Sequence, residues 1–169
     1  MAKKEKQLLL IDISARLPYG VKFYVDNTIP PIPSAEDYRL GEVHNVLTAT
    51  GLDIESDCIY TEETGMDCTL KILTPYLRSM SSMTESEASD MFNVMYPKHE
   101  LINVEIEKDR VRFGNKDKDG KYHHITLFFN KIYSLEQLDW LNAYHFDYRG
   151  LIPMGLALEA KEDMYKTNN

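Results

Sequence analysis

The sequence predicts an α+β fold, in which a strongly bent antiparallel sheet, at most a small open barrel, carries about three helices. Three observations predict it. Ile102, Val104 and Ile106 alternate with Asn103, Glu105 and Glu107, and the pattern continues through Val111 and Phe113 and returns over 122–129. That is a three-strand meander. Two capping boxes, Thr84 with Glu87 and Ser134 with Gln137, each open a stretch with helical spacing. The strands cluster between the helices without βαβ alternation, which favours antiparallel pairing.

Each element follows from local pattern. Residues 1–6, with KKEK at 3–6, read as a disordered, solvated terminus. Over 8–17 two periods compete. Leu9, Ile11, Ile13, Ala15 and Leu17 alternate as in a strand, while Leu10, Ile13, Ser14 and Leu17 make a helical stripe. Pro18 and Gly20 end the element in a turn, and VKFYV (21–25) reads as a strand. Residues 27–38 hold three of the seven prolines and form a loop inserted in the domain.

Three short strands are expected between 40 and 73, in LGEVHNVLT, DCIYTE and DCTLKIL, punctuated by Gly51 and Gly65. A helix over 84–95 presents Ala88, Met91, Phe92 and Met95 on one face. After the meander, a helix over 134–146 presents Leu135, Leu138, Leu141 and His145, with Tyr133 and Leu138 placed as a hydrophobic staple. The segment 147–158 folds back on the core, and 161–169 is a frayed tail. The expected core includes Tyr19, Phe23, Leu47, Leu77, Met91, Phe92, Ile106, Leu127, Leu138 and Leu141.

Composition bounds the function. At 169 residues, 43% hydrophobic and 27% charged, the chain has material for one globular domain over 1–169. A net charge of −8 argues against a general phosphate-tracking role. Solubility is the simplest reading of the acidity, with a basic partner surface or mimicry of nucleic acid as alternatives. Two cysteines, Cys58 and Cys68, are too few for a disulfide framework and fit a reducing cytoplasm. No apolar run reaches membrane-spanning length, and Asp12 and Arg16 interrupt the N-terminal apolar run too soon for a signal peptide. A cytoplasmic location, with no membrane partner, is therefore expected.

Several motifs imitate chemistry, and each has a structural explanation. NKDKDG (115–120) places Asn115, Asp117, Asp119 and Gly120 as in a calcium loop, but the twelfth place holds Thr126 instead of a bidentate glutamate. An Asp-Gly hairpin turn accounts for it better. His123 and His124 point to opposite faces of a strand, so they do not share a metal easily. No spacing matches a zinc or redox motif, and neither a metal nor a cofactor is expected. Cys58 and Cys68 flank an expected hairpin and read as two half-buried thiols. The hydroxyls of SMSSMTESE (79–87) lack a nucleophile elbow or a phosphate-cradling loop, and helix capping explains Thr84. In HFDYRG (145–150), His145 suits a helix C-terminus, Asp147 suits a cap, and Arg149 suits a bidentate pair with Asp147 or Glu159. Gly150 and Gly155 suit positive φ.

Three blocks, LLLIDISARLPYGVK (8–22), PYLRSMSSMTESE (75–87) and SLEQLDWLNAYHFDYRGLIPMGLALEA (134–160), resemble a group of uncharacterised proteins from gut-bacterial genomes, prophages and mobile elements. Together they cover about a third of the chain. Ser14 stands where the group often has cysteine, Ser79 where it has proline, and Lys161 and Asp163 replace a proline and a glycine. The Ser14 difference argues against a thiol nucleophile there. The group carries a charged residue where Ile11 stands, which breaks the strand alternation and tips 7–17 towards a helix. The resemblance implies a cytoplasmic accessory protein of phage or mobile-element origin and brings no activity with it.

Three functions follow as expectations. The first is a non-catalytic binding or regulatory protein acting on another protein, with His145, Asp147, Tyr148 and Arg149 as candidate contacts. The second is a nucleic-acid-associated protein using the locally basic Lys108, Arg110, Arg112, Lys116, Lys118 and Lys121. The third is a small enzyme built on His145, Asp147 and Arg149 as an acid–base set.

Overall fold

The structure, a computed structural model, describes residues 2–25, 46–53, 58–61, 67–69, 73–161 and 163–165. The fold is α+β; among the described residues the strands form two mostly antiparallel sheets instead of one bent sheet, and neither closes into a barrel. Two compact units share the chain: residues 1–76 with 151–159, and residues 77–150 with 160–169. The proline-rich stretch 27–38 lies outside the described residues.

In the first unit, α1 (Lys3–Arg16) continues into a 3-10 turn at Leu17–Tyr19. The stretch 8–17 is thus helical, but the helix starts earlier than expected. Residues 3–6 are ordered in it because the Glu5 carboxylate accepts the Ala2 amide at 2.6 Å and Lys6 N–H donates to Ala2 O. The buried stripe is Leu9, Asp12, Ile13 and Arg16, with Ile11 56% exposed. Asp12 and Arg16 are both fully buried and joined by two bonds, Nε to Oδ2 at 2.7 Å and Nη2 to Oδ1 at 3.0 Å. The ion pair removes from each charge part of the cost of leaving water.

The sheet beside it runs in the order β4 (Asp67–Thr69), β3 (Cys58–Thr61), β2 (Val46–Asp53), β1 (Lys22–Val25), β5 (Leu73–Leu77) and β9 (Leu158–Glu159). Gly51, expected to punctuate strands, lies inside β2, where the register shifts between Ala49 and Gly51. A Cβ there would meet the Tyr60 ring at 3.1 Å, so the bulge uses the missing side chain. Cys58 pairs with Thr69 and Ile59 with Cys68, so the two cysteines are one register position out of step. Phe23, Leu47 and Ile59 are buried, as are Leu151 and Ala157 of the returning segment.

The second unit holds the meander β6 (Glu100–Ile106), β7 (Arg110–Lys116) and β8 (Tyr122–Phe128). Its inner face presents Val111, Phe113 and Leu127 to α2 (Glu85–Met95) and α3 (Leu135–Ala143), whose core residues are Ala88, Met91, Phe92, Trp140 and Leu141. The Thr84–Glu87 capping box forms as its spacing predicts. At α3 the register differs. Gln137, Trp140 and Leu141 face inward, Leu138 is only half-buried, and Leu135 is 79% exposed. Ser134 Oγ accepts the Gln137 amide at 3.1 Å, but the Gln137 side chain accepts from Tyr133 N–H at 2.7 Å. Gln137 thus takes an inward place, while Leu135 and Leu138 lie at the edge of the core and Leu141 stays within it. Tyr19 and Ile106 are likewise half-buried, whereas the other expected core residues, Phe23, Leu47, Leu77, Met91, Phe92, Leu127 and Leu141, are buried. Among the described residues no helix is long and apolar enough to cross a membrane.

Candidate functional site

The HFDYRG block is built on a chain reversal. Helix α3 ends at Ala143, short of the expected 146, because His145 adopts a left-handed φ of 58° and the helical bonding cannot continue through it. Phe146 then lies beside Arg78 in a parallel bridge. Arg78 N–H donates to His145 O at 2.8 Å, and Asp147 N–H donates to Arg78 O at 2.8 Å. The backbone is thereby pinned on both sides of Phe146, a fully buried core residue stacked with Trp140.

Side chains complete this brace. The Arg78 guanidinium lies 4.3 Å from the Phe146 ring centroid and grips Glu87 with two bonds, at 2.6 and 3.0 Å. Glu87 also accepts the Thr84 amide at 2.9 Å. Burial alone would raise the Glu87 carboxyl, but Arg78 and the Thr84 amide and hydroxyl outweigh it and hold the group below the ordinary value of 4.5. The buried His145 ring stacks on Tyr165 at 3.8 Å and 17°. Asp147 is buried, the Tyr148 hydroxyl donates to Asn142 Oδ1 at 2.9 Å, and the Arg149 guanidinium sits 4.9 Å from the Tyr148 ring centroid.

The structure therefore places the four candidate residues in succession along one braced turn. His145 and Asp147 flank the Phe146 bridge, while Tyr148 and Arg149 stack on each other beyond it. Sequence reasoning missed Arg78 and Tyr165, the two residues that complete the brace. Arg78 had no local signal, because its partners lie nine and sixty-eight positions away. Tyr165 lies in the segment expected to fray; residues 163–165 instead form a turn, in which Met164 N–H donates to Lys161 O, and only 162 and 166–169 of that tail fall outside the described residues.

The basic stretch is the β7 strand and the turns on either side of it. Arg110 Nε lies 3.0 Å from both Glu107 and Asp109, and Arg112 Nη1 lies 3.0 Å from Glu107. Lys108 is exposed in the β6–β7 turn. Lys118 and Lys121 flank the β7–β8 turn, where Asp117 Oδ1 accepts the amides of Asp119 and Lys121 and Gly120 takes φ 76°. NKDKDG thus forms the hairpin turn its Asp-Gly suggested. His123 binds the other Asp117 oxygen at 2.8 Å. That bond, with the two amides, keeps the Asp117 carboxyl below its ordinary value. Lys116 Nζ lies 4.6 Å from the Tyr122 ring centroid. His123 and His124 do take opposite sides of β8, with His123 directed to Asp117 and His124 exposed. Among the described residues no three His, Cys, Asp or Glu side chains are arranged to hold a metal ion.

A third surface lies where β8 gives way to α3. Ile132, Tyr133 and Leu135 are 40, 45 and 79% exposed, beside exposed Glu136 and Asp139. No protein-family model, no curated protein and no solved structure matches this chain.

Proposed function

We propose that this chain is a non-catalytic accessory protein of the bacterial cytoplasm, of phage or mobile-element origin, that works by binding another protein. The observation that carries this reading is the exposed apolar run Ile132, Tyr133 and Leu135. Single exposed apolar residues are ordinary on protein surfaces, but three within four positions form a local patch of the kind that binds partners. Its rim includes Glu136 and Asp139, which suits an apolar groove edged by basic side chains. The HFDYRG block is consistent with binding, because its backbone is pinned to Arg78 and its rings pack on Trp140 and Tyr165. In this reading His145, Asp147, Tyr148 and Arg149 shape the surface more than they touch the partner.

The test is affinity capture of the tagged protein from its host lysate, with nuclease treatment, for the natural sequence and for Leu135→Asp. One protein at near-equal stoichiometry, surviving nuclease and lost with Leu135→Asp, is the expected result. Retention of the same partner by the variant would move the contact elsewhere and refute the assignment of this surface.

A further inference from the structure

We propose that the outer face of β8, from Tyr122 to Phe128, binds single-stranded nucleic acid by stacking bases on its rings and holding phosphates with nearby lysines. This inference is independent of the protein-binding surface at Ile132–Leu135.

The face is defined by register. Val111 and Phe113 of β7 point into the core, so Arg110, Arg112, Gly114 and Lys116 point out. Their partners on β8 are Phe128, Thr126, His124 and Tyr122, in that order. Tyr122 is 60% exposed, and His124 and Thr126 are exposed. Residues two apart on a strand stand roughly 7 Å from each other, close to the spacing of bases in an extended single strand. Four outward positions therefore make a track of about 20 Å, enough for three or four nucleotides.

Both ends of the track already hold a cation over a ring. Lys116 lies over Tyr122, and Arg110 and Lys131 lie 5.2 and 5.5 Å from the Phe128 centroid. A flexible lysine can leave the ring for a phosphate when a base takes its place. Opposite His124 is the buried Gly114, where the Asn103 side chain occupies the place a Cβ would take, so an amide borders the track on the β7 side.

Charge commitment favours a polyanion despite the acidity of the chain. Glu107, Asp109 and Asp117 are engaged by Arg110, Arg112 and His123. Lys116, Lys118, Lys121 and Lys131 make no ion pair among the described residues. Glu105, which faces Arg112, and Asp119 in the turn oppose binding, which limits affinity and makes it salt-sensitive. A duplex presents its bases edge-on and offers nothing to stack, so the single strand is the favoured form.

The experiment is fluorescence anisotropy of the full chain with a fluorescein-labelled ten-nucleotide oligothymidylate at low salt. Saturable binding is expected, with a slope of log K against log salt of about −2 to −3, from three or four phosphates. Tyr122→Ala, at an exposed position that should not disturb folding, weakens binding about tenfold. Lys116→Ala combined with Lys121→Ala makes the slope shallower by roughly one. A duplex of equal length binds at least about tenfold more weakly, and Leu135→Asp changes nothing. The proposal is overturned by no saturable binding at about 100 µM protein, by indifference to Tyr122→Ala, by equal affinity for duplex, or by loss of binding in Leu135→Asp, which would place the contact on the other surface.

Discussion

Arg78 and Glu87 form a two-bond ion pair, at 2.6 and 3.0 Å, that joins the residue bridged to Phe146 to the first turn of α2. The same guanidinium lies over the Phe146 ring, so one side chain ties a helix cap to a core aromatic. The planar fork is what allows both contacts, since it pairs edge-on and stacks face-on.

Arg78→Ala should therefore destabilise the protein by about 2 kcal/mol, through a part-buried carboxylate left without its charged partner. Arg78→Lys keeps the charge but loses the fork and the stack, and should recover less than half of that loss. Urea denaturation measures both. A lysine variant as stable as the natural protein would show that charge alone matters here.

The same pair sets a pH dependence. The Glu87 carboxyl is held below 4.5 in the folded protein, so the folded state binds its proton less readily than the unfolded state. Its contribution is fully present above the ordinary carboxylate range and is lost as pH falls through the folded value. Stability should drop on acidification below about pH 4.5, and Glu87→Gln should be less stable at neutral pH with a flatter acid limb. Thermal melts between pH 3 and 7 read this directly; parallel acid limbs in the two proteins would contradict it.

The buried Asp12–Arg16 pair in α1 predicts a larger loss. Removing one partner deprives the other, buried charge of its two-bond ion pair, at a cost of about 3 to 5 kcal/mol. Asp12→Ala and Arg16→Ala should each approach that loss, and the double variant should cost clearly less than their sum. Additive losses in the double-mutant cycle would show that the two side chains act separately.

His145 separates backbone strain from ring packing. Glycine, alanine and valine there all remove the Tyr165 stack, but of the three only glycine is at ease at φ 58°. His145→Gly should be more stable than His145→Ala by about 1 kcal/mol, and His145→Val should be the worst of the three. An order with alanine above glycine would mean that the backbone relaxes out of the left-handed region in the variants.

Local pattern made much of this fold legible. The alternation through Ile102–Ile106 and Val111–Phe113 is a two-residue period, and pairing of near neighbours follows from it with little else required. Thr84 and Glu87 announce the start of α2 because capping is a three-residue relation. Leu135 and Leu138 misled because a helix offers several stripes, and the inward face of α3 runs through Gln137, Trp140 and Leu141 instead. The two faces of β8 were legible as a pattern, since Tyr122, His124 and Thr126 alternate with His123, Ile125 and Leu127. Which side faced water depended on the helices that cover the other.

By itself, then, the sequence determined the α+β class, the meander, the starts of α2 and α3 and the hairpin turn at Asp117–Gly120, all of which rest on interactions within a few residues. Tertiary structure alone decided that the strands divide into two sheets, that Arg78 reaches Glu87 and Phe146, and that Tyr165 covers His145. Those contacts join residues 9 to 68 positions apart. Their free energy is realised only after the entropy of bringing distant segments together has been overcome by burial of a common core, a property of the whole chain that no short stretch encodes.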